Sequence, residues 1–175
     1  MTEPLQGKRV ALLVVDGFEQ IEPTEPKREL EQAGATAQIV SLADGRVKGW
    51  QHTDWGDAFN VDVPLDSVNE SDFDALMLPG GVMNPDALRQ NEQAVAFVRS
   101  FVDQLKPVAA ICHGGWMLAE ADVLQGRGVT SYPSIQTDLE NAGAVWVDDN
   151  GLITSRNPHD LPAFNAKLIE TIAAG

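Results

Sequence analysis

Hydrophobic positions along the chain alternate between short continuous runs and stretches with helical spacing. RVALLVVDGF (Arg9 to Phe18) is an apolar, β-branched run and predicts a buried parallel strand followed by a turn at Asp16-Gly17. Pro23 to Ala33 reads as a helix ended by Gly34, and ATAQIVSL as a second strand, so the first forty residues form a β-α-β unit. Between Gly45 and Val63 the pattern changes. RVKGWQ and DAFNVDVPL predict short strands in a small antiparallel excursion that carries Trp50, His52 and Trp55. The alternation then resumes with a strand over Asp74 to Leu78, ended by Pro79-Gly80-Gly81. Ala94, Val95, Phe97, Val98, Phe101 and Val102 recur with a period near 3.6 and predict a helix over Asn91 to Leu105, stopped by Pro107. PVAAIC predicts a strand, His113 to Ala121 a helix and GVTS a short strand. SIQTDLENAG predicts a helix capped by Ser134 and ended by Gly143. AVWVDD and GLITSR predict a hairpin around Asn150-Gly151, and the last helix is expected over Leu161 to Ala173.

Strands that alternate with helices point to an α/β fold, mainly a parallel sheet with helices on both faces. No internal repeat, low-complexity tract or linker interrupts the 175 residues, and one domain over 1–175 is expected. The charge changes the picture in one respect. A net charge of -14 with scattered Lys and Arg argues against a nucleic-acid groove. Residues Met1 to Arg9 carry no signal-peptide pattern, and the apolar run after them is too short for a membrane span. A single cysteine cannot form an intrachain disulfide. Together these features predict a cytoplasmic protein in a reducing compartment.

Open parallel sheets bind ligands at the carboxyl ends of their strands, and three such ends carry candidate chemistry. At Ile111-Cys112-His113-Gly114-Gly115 an apolar strand ends on the cysteine and a helix starts at once. Such a turn exposes the side chain, and the helix start is expected to lower the thiol pKa. Leu78-Pro79-Gly80-Gly81 offers backbone N–H donors of the kind an oxyanion hole uses. Asp16 to Glu22 brings Glu19 and Glu22 after the first strand, and a carboxylate such as Glu22 could hold a proton for Cys112. His113 follows Cys112, but adjacency alone does not establish a hydrogen bond. His52 and His159 stand without metal-ligand spacing and read as surface or structural. No zinc pattern, P-loop or dinucleotide fingerprint is present, so no metal or cofactor is expected.

Four stretches in register carry a family likeness: ALLVVDGFEQIE, FDALMLPGGVMNPDALRQNE, KPVAAICHGGWMLAEADVLQGRGVTSYPSIQTDLENAGA and SRNPHDLPAF. Together they resemble the PfpI/ThiJ superfamily, which includes the PfpI intracellular peptidase and the parkinsonism-associated protein deglycase. The nearest likeness is to PfpI-like bacterial stress proteins. The resemblance implies a flavodoxin-like three-layer sandwich and a homodimer or larger homo-oligomer. It implies that Cys112 is the nucleophile and His113 its partner, and it aligns Glu22 with the glutamate that bonds the cysteine in the deglycase branch. Asp86 falls where an acidic residue of a neighbouring subunit completes a triad in peptidase-like members; the peptidase has Glu there. Glu19 matches a second acidic position and Tyr132 a tyrosine near the pocket.

Three functions are therefore expected, in this order. The first is a cysteine-dependent enzyme acting on small reactive carbonyls such as methylglyoxal, or on glycated protein groups, with Gly80, Gly81 and Gly114 at the oxyanion. The second is a cysteine peptidase with an intersubunit Cys112-His113-Asp86 triad. The third is a non-enzymatic oxidation sensor or stress-response protein.

Overall fold

The computed structural model describes residues 3–147 and 153–175. The chain begins with β1 (Arg9–Leu13), β2 (Phe18–Glu19), α1 (Ile21–Gln32) and β3 (Thr36–Ser41). The excursion follows as β4 (Arg46–Gln51) and β5 (Asp54–Asn60), and β6 (Val63–Pro64) rejoins the main sheet. Then come β7 (Ala75–Leu78), α2 (Met83–Leu88), α3 (Glu92–Asp103), β8 (Val108–Ile111) and α4 (Gly115–Glu120). The chain finishes with β9 (Gly128–Val129), α5 (Gln136–Asn141), β10 (Val145–Trp146), β11 (Ile153–Ser155) and α6 (Leu161–Ala174).

Six strands form one sheet in the order β11-β8-β7-β1-β3-β6, and every pairing in it is parallel. Side chains alternate across it. Val10 and Leu12 of β1 pack with Leu30 of α1 and with Phe164, Leu168 and Ile172 of α6. Ala11 and Leu13 pack on the other face with Phe97, Val98 and Phe101 of α3, Met117 and Leu118 of α4, and Leu139 of α5. This is the three-layer α/β sandwich expected from the sequence. Burying each large apolar side chain contributes about 1.5–3 kcal/mol, so a strand apolar on both faces belongs in the middle. The helix over Glu92–Asp103 buries the stripe its period predicts, and the Asn91 side chain accepts from the Ala94 N–H at 2.9 Å as its cap.

The antiparallel excursion is present: β4 pairs antiparallel with β5, and β2 adds to β4 in parallel. Its tip at His52 stands beside the carboxyl ends of the main strands. Three expectations need correction. The hairpin of AVWVDD and GLITSR does not form from the described strands. Val145-Trp146 pairs in parallel with β9, and Ile153–Ser155 pairs in parallel with β8 in a different sheet; the Asn150-Gly151 turn lies outside the described residues. Ser134 does not cap α5 by a side-chain bond, because its hydroxyl is turned to His113. A helix, α2, follows the Gly-Gly turn where none was predicted. It is only six residues long, but Asn84 anchors it by accepting from the Val15 N–H at 2.8 Å and donating to the Pro79 and Gly80 carbonyls.

Candidate active site

From β1 the chain runs out through β3 and β6 and returns to place β7 on the other side of β1. The crevice beyond the carboxyl ends of β1 and β7 is thus a topological switch point. Three loops meet there: Asp16–Glu19 after β1, Pro79–Gly81 after β7 and Cys112–Gly114 after β8.

Cys112 sits directly after β8 with φ of 58°, a left-handed backbone that non-glycine residues rarely hold. The turn aims its side chain into a pocket of about 430 Å³, although only 8% of the residue is exposed. Glu22, in the first turn of α1, is fully buried and lines the same pocket. Its Oε2 accepts from the Gly80 N–H at 2.8 Å. Its Oε1 has no partner in hydrogen-bond geometry, yet carboxyl and sulfur are close enough for each to shift the other.

Burial is the leading influence on both groups. It raises the Glu22 pKa from 4.5 to about 8, against the pull of the Gly80 N–H and with the push of the Glu19 carboxylate. Burial also pushes the Cys112 thiol up, and a charged Glu22 adds to the rise, while the backbone N–H groups of His113 and Gly81 pull it down. The expected lowering by a helix start does not win. The helix α4 is short, and desolvation of a buried thiolate outweighs its partial charge. At neutral pH, however, Glu22 keeps its proton. Repulsion from a carboxylate is then absent, and a carboxylic acid donates to a thiolate instead of repelling it.

Gly80 separates the pair. A Cβ there would lie 2.7 Å from both the Cys112 Cβ and Glu22 Oε2, so only glycine lets the carboxyl reach the sulfur. The expected oxyanion role needs adjusting accordingly. The Gly80 N–H is taken by Glu22, and Gly81 and His113 supply the N–H groups that face the sulfur. Gly81 holds φ of 74°, and a Cβ there would run into the Gly17 carbonyl oxygen. Gly114 packs on the Leu78 carbonyl.

On the other side of the sulfur, His113 Nδ1 lies 3.2 Å from Cys112 Sγ. Its ring stacks on Tyr132 at 4.8 Å and meets Trp116 edge-on at 5.2 Å. Burial lowers its pKa, which favours the neutral ring. Its Nε2 faces Ser134 Oγ at 3.3 Å; among the described residues no carboxylate bonds to it. Asp86 is exposed on α2, and no hydrogen bond or ion pair joins it to His113 of its own chain.

Cys112, His113, Glu22, Glu19, Gly81 and Tyr132 are therefore gathered around one pocket. Sequence reasoning missed Ser134, Trp50 and His52. Trp50 and His52 line the pocket from the β4–β5 tip, where the Trp50 indole donates to the His52 carbonyl at 2.9 Å. A hairpin that returns over the site leaves no spacing signal in the sequence. Among the described residues no group of three His, Cys, Asp or Glu side chains could hold a metal ion, and no helix is long and apolar enough to cross a membrane.

An α/β sandwich with a strained cysteine at a strand-to-helix turn, paired with a buried glutamate at the switch point, defines a class of cysteine-centred proteins. Residues 8–171 match the model of the DJ-1/PfpI family, and the chain belongs to that family. It is 44% identical over 166 residues to General stress protein 18 of Bacillus subtilis, covering 91% of this chain and 94% of that protein. It is 42% identical over 176 residues to Protein/nucleic acid deglycase 2 of Escherichia coli, covering 96% and 99%. The crystal structure of Drosophila melanogaster DJ-1beta superposes with a TM-score of 0.85 at 30% identity, covering 96% of this chain and 91% of that one.

Proposed function

We propose that this protein is a cysteine-dependent enzyme that acts on reactive carbonyls, methylglyoxal or the adducts it forms on protein thiols and amines. The observation that carries this reading is the buried Glu22 beside Cys112, a carboxyl that holds its proton to about pH 8. The relative named a protein/nucleic acid deglycase supports it.

In the proposed reaction the Cys112 thiolate adds to the aldehyde carbon of methylglyoxal. The new oxyanion is held by the N–H groups of Gly81 and His113 and takes the proton of the Glu22 carboxylic acid, giving a hemithioacetal and leaving Glu22 as a carboxylate. The carboxylate of Glu22 then removes the proton from that carbon and returns it at the neighbouring one, while the hydroxyl proton passes to the former ketone oxygen, which leaves a lactate thioester on Cys112. Water hydrolyses the thioester, so methylglyoxal and one water become lactate. On an aminocarbinol the thiolate attacks the same carbon, and the amine leaves with a proton from Glu22. A group with a pKa near 8 suits both directions of transfer.

Lactate release from methylglyoxal, wild type beside Cys112→Ser, tests the reading. Cysteine-dependent lactate is expected, with a loss of roughly a thousandfold or more in the variant. Serine keeps the volume and the fold, so Tm should move by no more than about 2 °C. A second reading, a peptidase, draws on the 3.2 Å contact between Cys112 and His113. It needs Asp86 of another subunit, and homo-oligomerisation is part of that proposal. A fluorogenic peptide in a parallel well separates the two: cysteine-dependent cleavage without lactate would put the peptidase first.

A further inference from the structure

The mouth of the pocket carries a charge pattern that the proposed chemistry does not use. Glu19 lines it with its side chain 14% exposed. None of the described lining residues is lysine or arginine. Arg156, near Pro158 at the rim, is engaged by both carboxylate oxygens of Asp160 at 2.9 Å. Deeper in, Glu22 Oε1 is buried with no hydrogen-bond partner. Trp50 and Tyr132 line the same pocket as Glu19; aromatic rings attract cations, and Tyr132 gives one of its faces to His113.

Glu19 is held in place. Its Oε1 accepts from the His52 N–H at 3.4 Å and lies 3.6 Å from His52 Nδ1. The His52 ring is 77% exposed.

We infer that Glu19, with Trp50 and Tyr132, is a charge filter. It admits carbonyl carbons borne on cationic groups, such as amine or guanidine adducts, and turns away carboxylated or phosphorylated carbonyls. The substrate assignment rests on the carbonyl reading of the Cys112 site; the filter itself does not. A fixed carboxylate at a partly desolvated mouth attracts a cation and repels an anion, and the low local dielectric makes both effects larger than in water.

The test measures Cys112 modification by two methanethiosulfonates of similar size, one bearing trimethylammonium and one sulfonate. The cation-to-anion rate ratio cancels the thiolate fraction, and the same ratio on mercaptoethanol removes intrinsic reactivity. The corrected ratio is expected to be about tenfold or more in wild type and to fall by about fivefold in Glu19→Gln. Glutamine keeps an oxygen for the His52 N–H, so the loop is retained. Asp103→Asn removes the same charge at the end of α3, which leads back to the amino end of β8 and away from the pocket. It should leave the ratio within about a factor of two. A corrected ratio near one in wild type, or an unchanged ratio in Glu19→Gln, overturns the filter. A normal ratio without lactate release keeps the filter and sinks the carbonyl reading.

Discussion

The two sides of Cys112 are built differently. On one side Glu22 is sealed from solvent, locked by the Gly80 N–H and supplied from the same chain. On the other, His113 stacks on the half-open Tyr132, keeps a neutral ring and ends on a serine hydroxyl. The Glu22 side is finished within one chain: acid, sulfur and backbone donors already stand together for the proposed proton transfer. The His113 side lacks the carboxylate that would stabilise an imidazolium. The difference favours chemistry in which Glu22 carries the proton and His113 positions the sulfur.

The largest break in this comparison comes from Gly80→Ala. The added methyl would sit 2.7 Å from atoms on both halves of the pair, and one half must move. A cost of about 1–3 kcal/mol in stability is expected, with loss of lactate release of at least about a hundredfold from misplacement alone. Thermal unfolding and lactate release measured on the same sample check it. Wild-type activity in the variant would mean that Glu22 and Cys112 need not face each other.

Glu22→Gln comes next and has two readouts. Turnover should fall about a hundredfold to ten-thousandfold, since the proposed proton carrier is gone. In wild type, activity should rise as pH climbs towards about 8, where the pair gives up its first proton; the variant should lose that limb. Stability responds with the opposite slope. The folded pKa lies above the unfolded one, so the folded chain binds an extra proton between about 4.5 and 8. Stability contributed by Glu22 is full below that window and lost as pH rises through it. Glutamine carries no such burden, so the variant should gain on wild type by an amount on the order of 3–5 kcal/mol between pH 5 and pH 9. A gap in Tm that stays constant with pH would show that Glu22 titrates normally.

The finished side was also the side legible in the sequence. Parallel strands buried on both faces announce themselves as apolar runs, and their carboxyl ends mark the site before any contact is known. Cys112, Glu22 and Gly80 each follow such an end or sit one turn into the next helix. The other side was legible only in part. Ser134 lies in a segment whose spacing reads as a helix cap, and its turn towards His113 depends on how α5 packs beside α4. Trp50 and His52 reach the pocket through the return of a hairpin, a long-range event with no periodic trace. The short helix α2 was missed because six residues hold too few turns for a periodic stripe, and Asn84, which anchors it, works through tertiary bonds.

Smaller effects are expected where the site is unfinished. Ser134→Ala removes the hydroxyl at His113 Nε2 but leaves the ring stacked on Tyr132 and edge-on to Trp116. Lactate release should fall by about two- to tenfold, in line with one neutral hydrogen bond of about 1 kcal/mol. A loss of a thousandfold would instead make His113 the principal proton carrier and reverse the comparison.

Asp86→Ala should do least to lactate release, within about a factor of two. The residue is exposed in its own chain, and the position it would need at His113 Nε2 is occupied by Ser134. Only a second subunit could bring another Asp86 there, and it would have to join or displace that hydroxyl. The measurement is therefore paired: lactate release and peptide cleavage at protein concentrations spanning dissociation of any oligomer. If peptide cleavage appears with the oligomer and vanishes in Asp86→Ala while lactate release persists, the His113 side is completed in trans for a separate activity. If both survive, Asp86 is a surface carboxylate, and the acid that matters is the one already buried beside the sulfur.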